Sequence, residues 1–313
     1  MFITDASMIP VEIMDANLSA FFLRELEYVK AKTYDTKYKN LKATMLIPVD
    51  TSGDPGAKTI TYRKYTKVGI AKIIADYADD APRVDVYGTE VTQKVYRIGD
   101  SYGYDRDEVR ASNMAGKSLE QRRANSAKEA SDRKVDRVAW TGDSEYNIVG
   151  FIDFPGITEY TIPDGDSASP LWSTKTSDEI LDDMNGIVTA VIESTNGKEV
   201  PDTMLMPIKQ LRLISTKRVS SDSDSTILKF FLENNKMITT VDWLTELKGA
   251  GDAGADRLMV YVKDSDHLTL EIPLPFSQLP PEIKGYGFEI LTETKTAGVI
   301  VYYPQSVAYG DGI

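Results

Sequence analysis

Residues 59–98 constrain the fold more than any other part of this sequence. Two arms, TITYRKYTKV and VDVYGTEVTQKVYRI, alternate apolar and polar residues as β-strands do, and AKIIADYADDAPR between them supplies the bend. Gly88 is a candidate bulge where the alternation changes phase. A two-stranded ribbon is marginal in water because it has no second layer to bury its apolar face. We therefore expect this ribbon to lie on another surface, such as a second copy of the chain.

Tyrosines are concentrated in or beside this ribbon. The residues concerned are Tyr62, Tyr65, Tyr77, Tyr87, Tyr96, Tyr102 and Tyr104. Tyrosine combines an apolar ring with a polar tip and is favoured at subunit contacts. Packing of the ribbon's own base explains any single one of them equally well. The cluster thus indicates either a subunit interface or the packed base of the ribbon.

A long helix is predicted shortly after the ribbon. Residues 118–140, SLEQRRANSAKEASDRKVDRVAW, contain neither glycine nor proline and are rich in helix formers. Small and apolar residues form one narrow stripe, which consists of Ala124, Ala127, Ser131, Val135 and Val138. Charged side chains cover the other faces, with Glu129 and Arg133 spaced for an i,i+4 pair. Such a helix is expected to cross the surface of a domain between other layers or chains.

The rest of the sequence mixes helices and strands without a regular period, which predicts the α+β class. Helices are predicted at residues 17–32, 177–193, 208–215 and 227–234, the second capped by Thr176 or Ser177 and ended by Gly197. Residues 51–58, TSGDPGAK, form a turn cluster. Strands are expected near Met204 and Ile238 and at residues 258–262. The C-terminal stretch predicts a hairpin that turns near Lys295, followed by one more strand.

Composition argues against several kinds of site. The chain has 48 acidic and 36 basic residues, and a formal charge of -12 repels polyphosphates, so we do not expect a dedicated nucleic-acid-binding protein. Cysteine is absent and His267 is the only histidine, which argues against thiolate chemistry, sulfur-ligated metals and histidine-based triads. The N-terminal residues lack the pattern of a secretory signal, and no apolar run reaches the length of a membrane span, so neither export nor membrane insertion is expected.

The stretch ASNMAGKS ends in Gly116, Lys117 and Ser118, and raises the alternative of a nucleotide hydrolase. A phosphate loop needs backbone N–H groups, a lysine and a hydroxyl immediately before a helix. Here Ala111 replaces the leading glycine of G-x-x-x-x-G-K-[ST], and the charged run YDRDEVR stands where a buried strand is required. The structural interpretation is that Ser118 caps the long helix and Gly116 lets the chain turn into it.

Other candidate sites have less support. Acidic residues occur in close pairs, which are Asp79 with Asp80, Asp182 with Asp183, and Asp222 with Asp224. None has the glycine and distal glutamate of a calcium loop, so we interpret them as solvated surface. His267 has no serine or aspartate tied to it by spacing and is predicted to be a surface or strand-edge residue. The sequence therefore predicts no catalytic residue, no metal site and no cofactor.

The segment AWTGDSEYNIVGFIDFPGI, residues 139–157, follows the long helix. A helix ending at an aromatic residue, a turn at Gly142 and Asp143, and the run NIVGF resemble the junction between the spine helix and the axial domain in major capsid proteins of tailed bacteriophages. The order of the other elements is similar to that family over nearly the whole chain. Encapsulin shell proteins share the fold and are the closest alternative.

The resemblance implies the phage major-capsid fold and a division of the chain. Residues 1–50 would form an N-terminal arm with a short helix, and residues 51–98 an extended β loop. Residues 99–150 would form a peripheral domain with the spine helix at 118–140. Residues 151–284 would form the axial domain, and residues 285–313 would return as strands into the peripheral domain.

The resemblance also implies a structural, non-enzymatic function. Copies would assemble into hexamers and pentamers, forming an icosahedral shell that encloses DNA without binding it specifically, in a virion assembled in the bacterial cytoplasm. The implied partners are the chain itself and scaffolding, portal and decoration proteins, with no membrane. The predicted subunit-contact residues are Tyr62, Tyr65, Ile73, Ile74, Tyr77, Tyr87, Arg122 and Arg133. Deletion of residues 71–82 is predicted to leave a folded subunit that assembles poorly.

Overall fold

The computed structural model describes residues 41–69, 83–115 and 120–313. The helices are α1 Ala43–Leu46, α2 Arg106–Ala115, α3 Glu120–Thr141, α4 Ser177–Ser194, α5 Ile208–Thr216 and α6 Ile227–Asn234. The first strands are β1 Val49–Asp50, β2 Thr59–Val68, β3 Asp85–Lys94, β4 Tyr96–Asp105, β5 Gly142–Asp143, β6 Ile148–Val149, β7 Thr158–Thr161 and β8 Thr203–Met206. The later strands are β9 Thr240–Trp243, β10 Arg257–Tyr261, β11 Leu268–Glu271, β12 Leu274–Gln278, β13 Glu282–Lys284, β14 Gly287–Thr296, β15 Gly298–Val301 and β16 Val307–Asp311. The helix predicted at residues 17–32 lies outside the described residues.

A five-stranded sheet in the order β7-β16-β10-β8-β9 separates two hydrophobic cores. Alternate residues of β10 enter different cores, since side chains of a strand point to opposite faces. Met259 and Tyr261 join the core around the end of α3, whereas Leu258 and Val260 join the core beneath α4, α5 and α6. Both faces of this sheet are therefore buried, which explains the continuous apolar run LMVY in β10.

The three helices that cover one face of this sheet confirm their predicted positions. The Thr176 side chain caps α4 by accepting a hydrogen bond from the backbone N–H of Glu179, whose carboxylate in turn accepts from Thr176. Gly197 has φ +76° and donates its N–H to the carbonyl of Ile192, which closes the C-terminal end. Apolar periodicity, with side-chain caps at α4 and α6, is thus sufficient to place the three helices.

The long helix α3 lies against a second, four-stranded sheet. In that sheet β4 pairs with β14 along ten residues, and β12 and β13 pair with the other edge of β14. The hydroxyls of Ser131 and Thr294 are 2.8 Å apart and join the helix to β14. Ala127, Val135 and Val138 are buried, which confirms most of the predicted stripe, while Ala124 is half-buried.

Two local predictions are wrong. The C-terminal stretch forms no hairpin at Lys295, because β14 continues to Thr296 and β15 pairs with β11 in another sheet. Gly298, at φ +79°, turns the chain between the two sheets. The ribbon is also shorter than predicted, since it ends at Lys94 and Tyr96 already belongs to β4. Helix α2 was not predicted, although Asp107 and Glu108 in its first turn are a helix-start signal.

The division into peripheral and axial domains stays a prediction. Strand pairing places β16 inside the five-stranded sheet, beside β7 and β10. It also places β12 and β13 beside β14 in the four-stranded sheet. The mixed helix and sheet architecture itself confirms the α+β class.

Candidate assembly surface

The ribbon is a regular antiparallel pair of β2 and β3. The register runs without interruption from Thr59 opposite Lys94 to Val68 opposite Asp85. The predicted bulge at Gly88 is therefore wrong. Gly88 lies opposite Tyr65, and a Cβ added to it would be 3.2 Å from Cε1 of the tyrosine ring. Glycine at this position leaves room for the ring to lie across the partner strand, so the register does not need to shift.

The two faces of the ribbon differ in polarity. One face carries a 2.9 Å contact between the hydroxyls of Thr61 and Thr92. On the same face, Nε of Arg63 donates to Oε1 of Glu90 at 2.7 Å. The opposite face carries Ile60 and Tyr62, which are half-buried. Near its base, the ribbon thus carries polar pairs on one face and turns Tyr62 on the other face toward the body of the chain.

The base of the apolar face packs on the same chain. The ring of Tyr62 meets the ring of Tyr302 edge-on, with centroids 5.0 Å apart. Nε2 of Gln93 donates to the carbonyl of Ala297 at 2.9 Å. Burial raises the pKa of the Tyr62 hydroxyl. For Tyr62, the structure therefore agrees with the interpretation that the tyrosines pack the base of the ribbon.

The outer part of the ribbon leaves large apolar side chains uncovered. Tyr65 is 63% exposed and Tyr87 is 60% exposed. Val68, Val84 and Val86 are also more than half exposed. Tyr65, Val84 and Val86 continue the face that carries Arg63, whereas Val68 and Tyr87 continue the face that carries Tyr62. We call these five residues, on both faces, the distal ribbon surface. A surface of this kind, carried by a two-stranded element without a second layer, is typical of an interaction site.

The other predicted contact residues stay predictions. Ile73, Ile74 and Tyr77 lie outside the described residues. Arg122 belongs to α3, but its side chain is outside the description. Arg133 is half-buried, and its Nε donates to the backbone carbonyl of Glu129 at 3.3 Å.

The junction after α3 is shaped by two glycines. Strands β5 and β6 form a short hairpin in which Gly142 pairs with Val149. Gly142 has φ +70°, and a Cβ on Gly150 would lie 2.2 Å from the carbonyl oxygen of Trp140. Lys134 of α3 donates to Asp143 at 2.6 Å, and this hydrogen bond lowers the pKa of the Asp143 carboxyl. The backbone passes so close to Gly142 and Gly150 that no side chain would fit at either position, which accounts for the two glycines of this motif.

The alternative of a phosphate loop is not supported by the residues before it. Gly116, Lys117 and Ser118 lie outside the described residues, so the proposed helix cap at Ser118 does too. Residues 106–115 form helix α2, whereas a phosphate loop follows a strand. The hypothesis of a nucleotide hydrolase therefore lacks the strand that must precede a phosphate loop.

Of the remaining candidate sites, Asp79 and Asp80 lie outside the described residues, whereas Asp182, Asp222 and Asp224 are exposed as predicted. The interpretation of Asp183 as solvated surface is wrong, because its side chain is 1% exposed and pairs with Lys175 at 2.6 Å. His267 immediately precedes β11, and its Nε2 lies 2.5 Å from Oε2 of Glu199. Within the described ranges, no group of three or more histidine or acidic residues is arranged to hold a metal ion. No helix in that part of the chain has the length and apolar character needed to cross a bilayer.

Comparison with known proteins identifies the family. The family model described as major capsid protein matches residues 69–313. No curated protein matches the chain in sequence. The fold is similar to the capsid of Myoviridae phage XM1, with a TM-score of 0.77 at 17% identity, covering 93% of this chain and 98% of that one.

Two further structures are similar in fold. A structure from Mycobacterium phage Bobi has a TM-score of 0.61 at 14% identity and covers 94% of this chain and 97% of that one. A virus-like particle from Pyrococcus furiosus has a TM-score of 0.51 at 13% identity and covers 88% of this chain and 92% of that one. Identities this low show the shared fold alone, whereas the family match extends over most of the sequence. The chain therefore belongs to the major capsid protein family.

Proposed function

We propose that copies of this chain assemble through hexamers and pentamers into an icosahedral shell that encloses phage DNA. Membership of the major capsid protein family gives the chain a structural role in a phage capsid and a place in the virion. The proposal adds the symmetry of the shell, its contents and the surfaces that join its subunits. The observation that carries it is the distal ribbon surface.

Burial of the distal ribbon surface against a neighbouring copy supplies a driving force for assembly. Tyr65 and Tyr87 each leave more than half of the side chain in water. A fully buried tyrosine removes roughly 150–250 Å² from solvent, and each Å² of apolar area contributes about 25 cal/mol. The base of the ribbon is already anchored through Tyr62 on its own chain. Neighbouring copies are therefore the natural cover for the outer part, where Tyr65 and Tyr87 lie on opposite faces.

We further propose a correspondence between the sheets and the domains of the capsid fold. The five-stranded sheet with α4, α5 and α6 would form the axial domain. The four-stranded sheet with α3 would form the peripheral domain. The ribbon would project from the second of these, because β3 is separated from β4 only by Val95.

The charge of the chain supports an enclosed but unbound genome. A formal charge of -12 disfavours tight contact with a polyanion, and tight contact with the shell would hinder both entry and exit of DNA. Scaffolding, portal and decoration proteins remain proposed partners. We propose that the subunit has no catalytic role. Hydrolysis of ATP by the purified chain, lost on Lys117→Ala substitution, would contradict this part of the proposal.

Electron microscopy of the expressed protein tests the proposal. We expect closed shells of uniform diameter, and image reconstruction is expected to resolve hexameric and pentameric units. A compact monomer at high concentration would contradict assembly. The contents of the shell distinguish a phage capsid from an encapsulin-type compartment, because a cargo enzyme in place of DNA would favour the compartment.

A further inference from the structure

A buried acidic side chain lies next to the base of the ribbon. Glu271, at the end of β11, is 3% exposed. Its carboxyl accepts hydrogen bonds from the hydroxyl of Thr269 at 2.7 Å and from the hydroxyl of Tyr302 at 3.3 Å. Strand β1 brings Asp50 alongside Glu271 in parallel register. Glutamate is seldom fully buried unless it is paired, and here its neighbours are two hydroxyls and a second acid.

This cluster is connected to the ribbon through one aromatic side chain. The Tyr302 hydroxyl lies 3.0 Å from that of Thr269, while its ring packs edge-on against Tyr62 of β2. A second contact lies close by, because Gln93 of β3 donates to the carbonyl of Ala297. The next residue, Gly298, is the β15 partner of Glu271. Tyr302 therefore contacts both the ribbon base and the Glu271 carboxyl, and the second ribbon contact lies one residue from the strand partner of Glu271.

The surroundings favour the neutral form of this carboxyl. Burial raises the pKa of Glu271, and the charge of Asp50 acts in the same direction, whereas the hydrogen bonds from Thr269 and Tyr302 oppose it. The ribbon contributes Tyr62, whose own pKa is also raised by burial, and Lys64, whose Nζ lies 5.9 Å from the Tyr303 ring. Tyr302 likewise has a pKa raised by burial and stays neutral at physiological pH.

We propose that Glu271, Thr269 and Tyr302 form a proton-sensitive latch that holds the base of the ribbon on its own chain. With Glu271 protonated, the latch is closed. Ionisation places a second negative charge beside Asp50 in a buried site, and the cost is relieved when the ribbon base lifts and water enters. This inference rests on the proposed function, because the latch would control the element proposed to contact neighbouring subunits.

The sign of the effect follows from the raised pKa. The contribution of Glu271 to docking is fully present below the ordinary glutamate pKa. It is lost as the pH rises through the raised value of the docked state. Docking of the ribbon base is therefore tighter in mild acid than at slightly alkaline pH.

Hydrogen exchange measured by mass spectrometry on the dispersed full-length chain tests the latch. Wild type is compared with Glu271→Gln at each pH, so that the intrinsic pH dependence of exchange cancels. At about pH 5, amides of residues 59–65 and 88–94 should exchange equally in both proteins. At about pH 8, wild type should exchange faster there, by up to about tenfold for each unit by which docking raises the Glu271 pKa.

Two more variants separate the latch from general effects. Tyr302→Phe keeps the ring against Tyr62 but removes a hydroxyl whose hydrogen bond favours the ionised form of Glu271, so the pH dependence of ribbon exchange should grow. Glu289→Gln changes a half-buried glutamate of β14 that pairs with Lys284 and should leave ribbon exchange as in wild type. A wild-type to Glu271→Gln ratio that is the same at both pH values would overturn the latch. Because hydrogen exchange of the ribbon is measured on dispersed subunits, the outcome for the latch does not depend on whether shells form.

Discussion

At the scale of single residues, Lys175 and Asp183 form a buried ion pair that holds the loop before α4. Nζ of Lys175 donates to Oδ2 of Asp183 and to the carbonyl of Pro163, both at 2.6 Å. The indole of Trp172 donates to the same carboxylate at 2.9 Å. Burial raises the pKa of Asp183 while Lys175 acts in the opposite direction. Neither charge has access to water, so each depends on the other.

Lys175→Met should therefore destabilise the subunit by about 3–5 kcal/mol, because it leaves Asp183 buried without its partner. The loss should be smaller in acid, where Asp183 is protonated and needs no cation. The double variant Lys175→Met with Asp183→Leu should lose less than the single one, because no uncompensated charge remains. Urea denaturation of wild type and the two variants, repeated in acid, measures these differences in the free energy of unfolding. A single variant within about 1 kcal/mol of wild type would show that the pair carries no such dependence.

Gly150 and Gly156 provide a matched pair of glycine substitutions. An alanine Cβ at Gly150 would meet the carbonyl of Trp140 at 2.2 Å, whereas nothing lies within 4 Å of one at Gly156, whose φ is +79°. Gly150→Ala should abolish folding or cost more than about 4 kcal/mol. Gly156→Ala should cost only about 1–2 kcal/mol, the cost of the left-handed backbone. Equal unfolding free energies for the two variants would contradict the close approach at the junction.

At the scale of elements, the sequence reveals helices that depend on local signals, but it does not reveal which distant strands pair. Helices α4, α5 and α6 were predicted to within one residue, because apolar spacing and the Thr176 cap are local properties. The partner of β14 was missed, since it pairs with β4 and the contacting residues Thr292 and Asp100 lie 192 positions apart. Pairing over such distances leaves no local pattern to read. The burial of Asp183 is hidden from the sequence for the same reason, because it depends on the loop that carries Lys175 and Trp172.

The cap of α4 gives a prediction that belongs to the element. Thr176→Ala removes the side-chain acceptor of the Glu179 N–H and should cost about 1 kcal/mol of unfolding free energy. Thr174→Ala, in the same loop, removes a hydroxyl that bonds the carbonyl of Leu171 and is a suitable control. Chemical denaturation of the two variants checks the comparison. A larger loss for Thr174→Ala would argue that the loop, and not the helix cap, sets the stability of this element.

At the scale of the whole molecule, the ribbon is the element that the single chain does not complete. Its base lies on Tyr302, and its polar face is satisfied by pairs such as Arg63 with Glu90. Its outer part keeps Tyr65 and Tyr87 in water. The need for a second layer was predictable from the ribbon pattern, whereas the residues anchored on the same chain became clear only from the fold. The family assignment makes another subunit the expected source of that layer.

Sedimentation velocity of the full-length chain tests this most directly, with wild type compared with Tyr65→Ser combined with Tyr87→Ser. Both side chains are mostly exposed, so the unfolding free energy of the double variant should stay within about 0.5 kcal/mol of wild type. We predict that wild type, and a control carrying Phe at both positions, sediment as closed shells, while the serine variant remains as small species because the apolar rings are missing. Normal shells from a folded serine variant would contradict assembly through the distal ribbon surface.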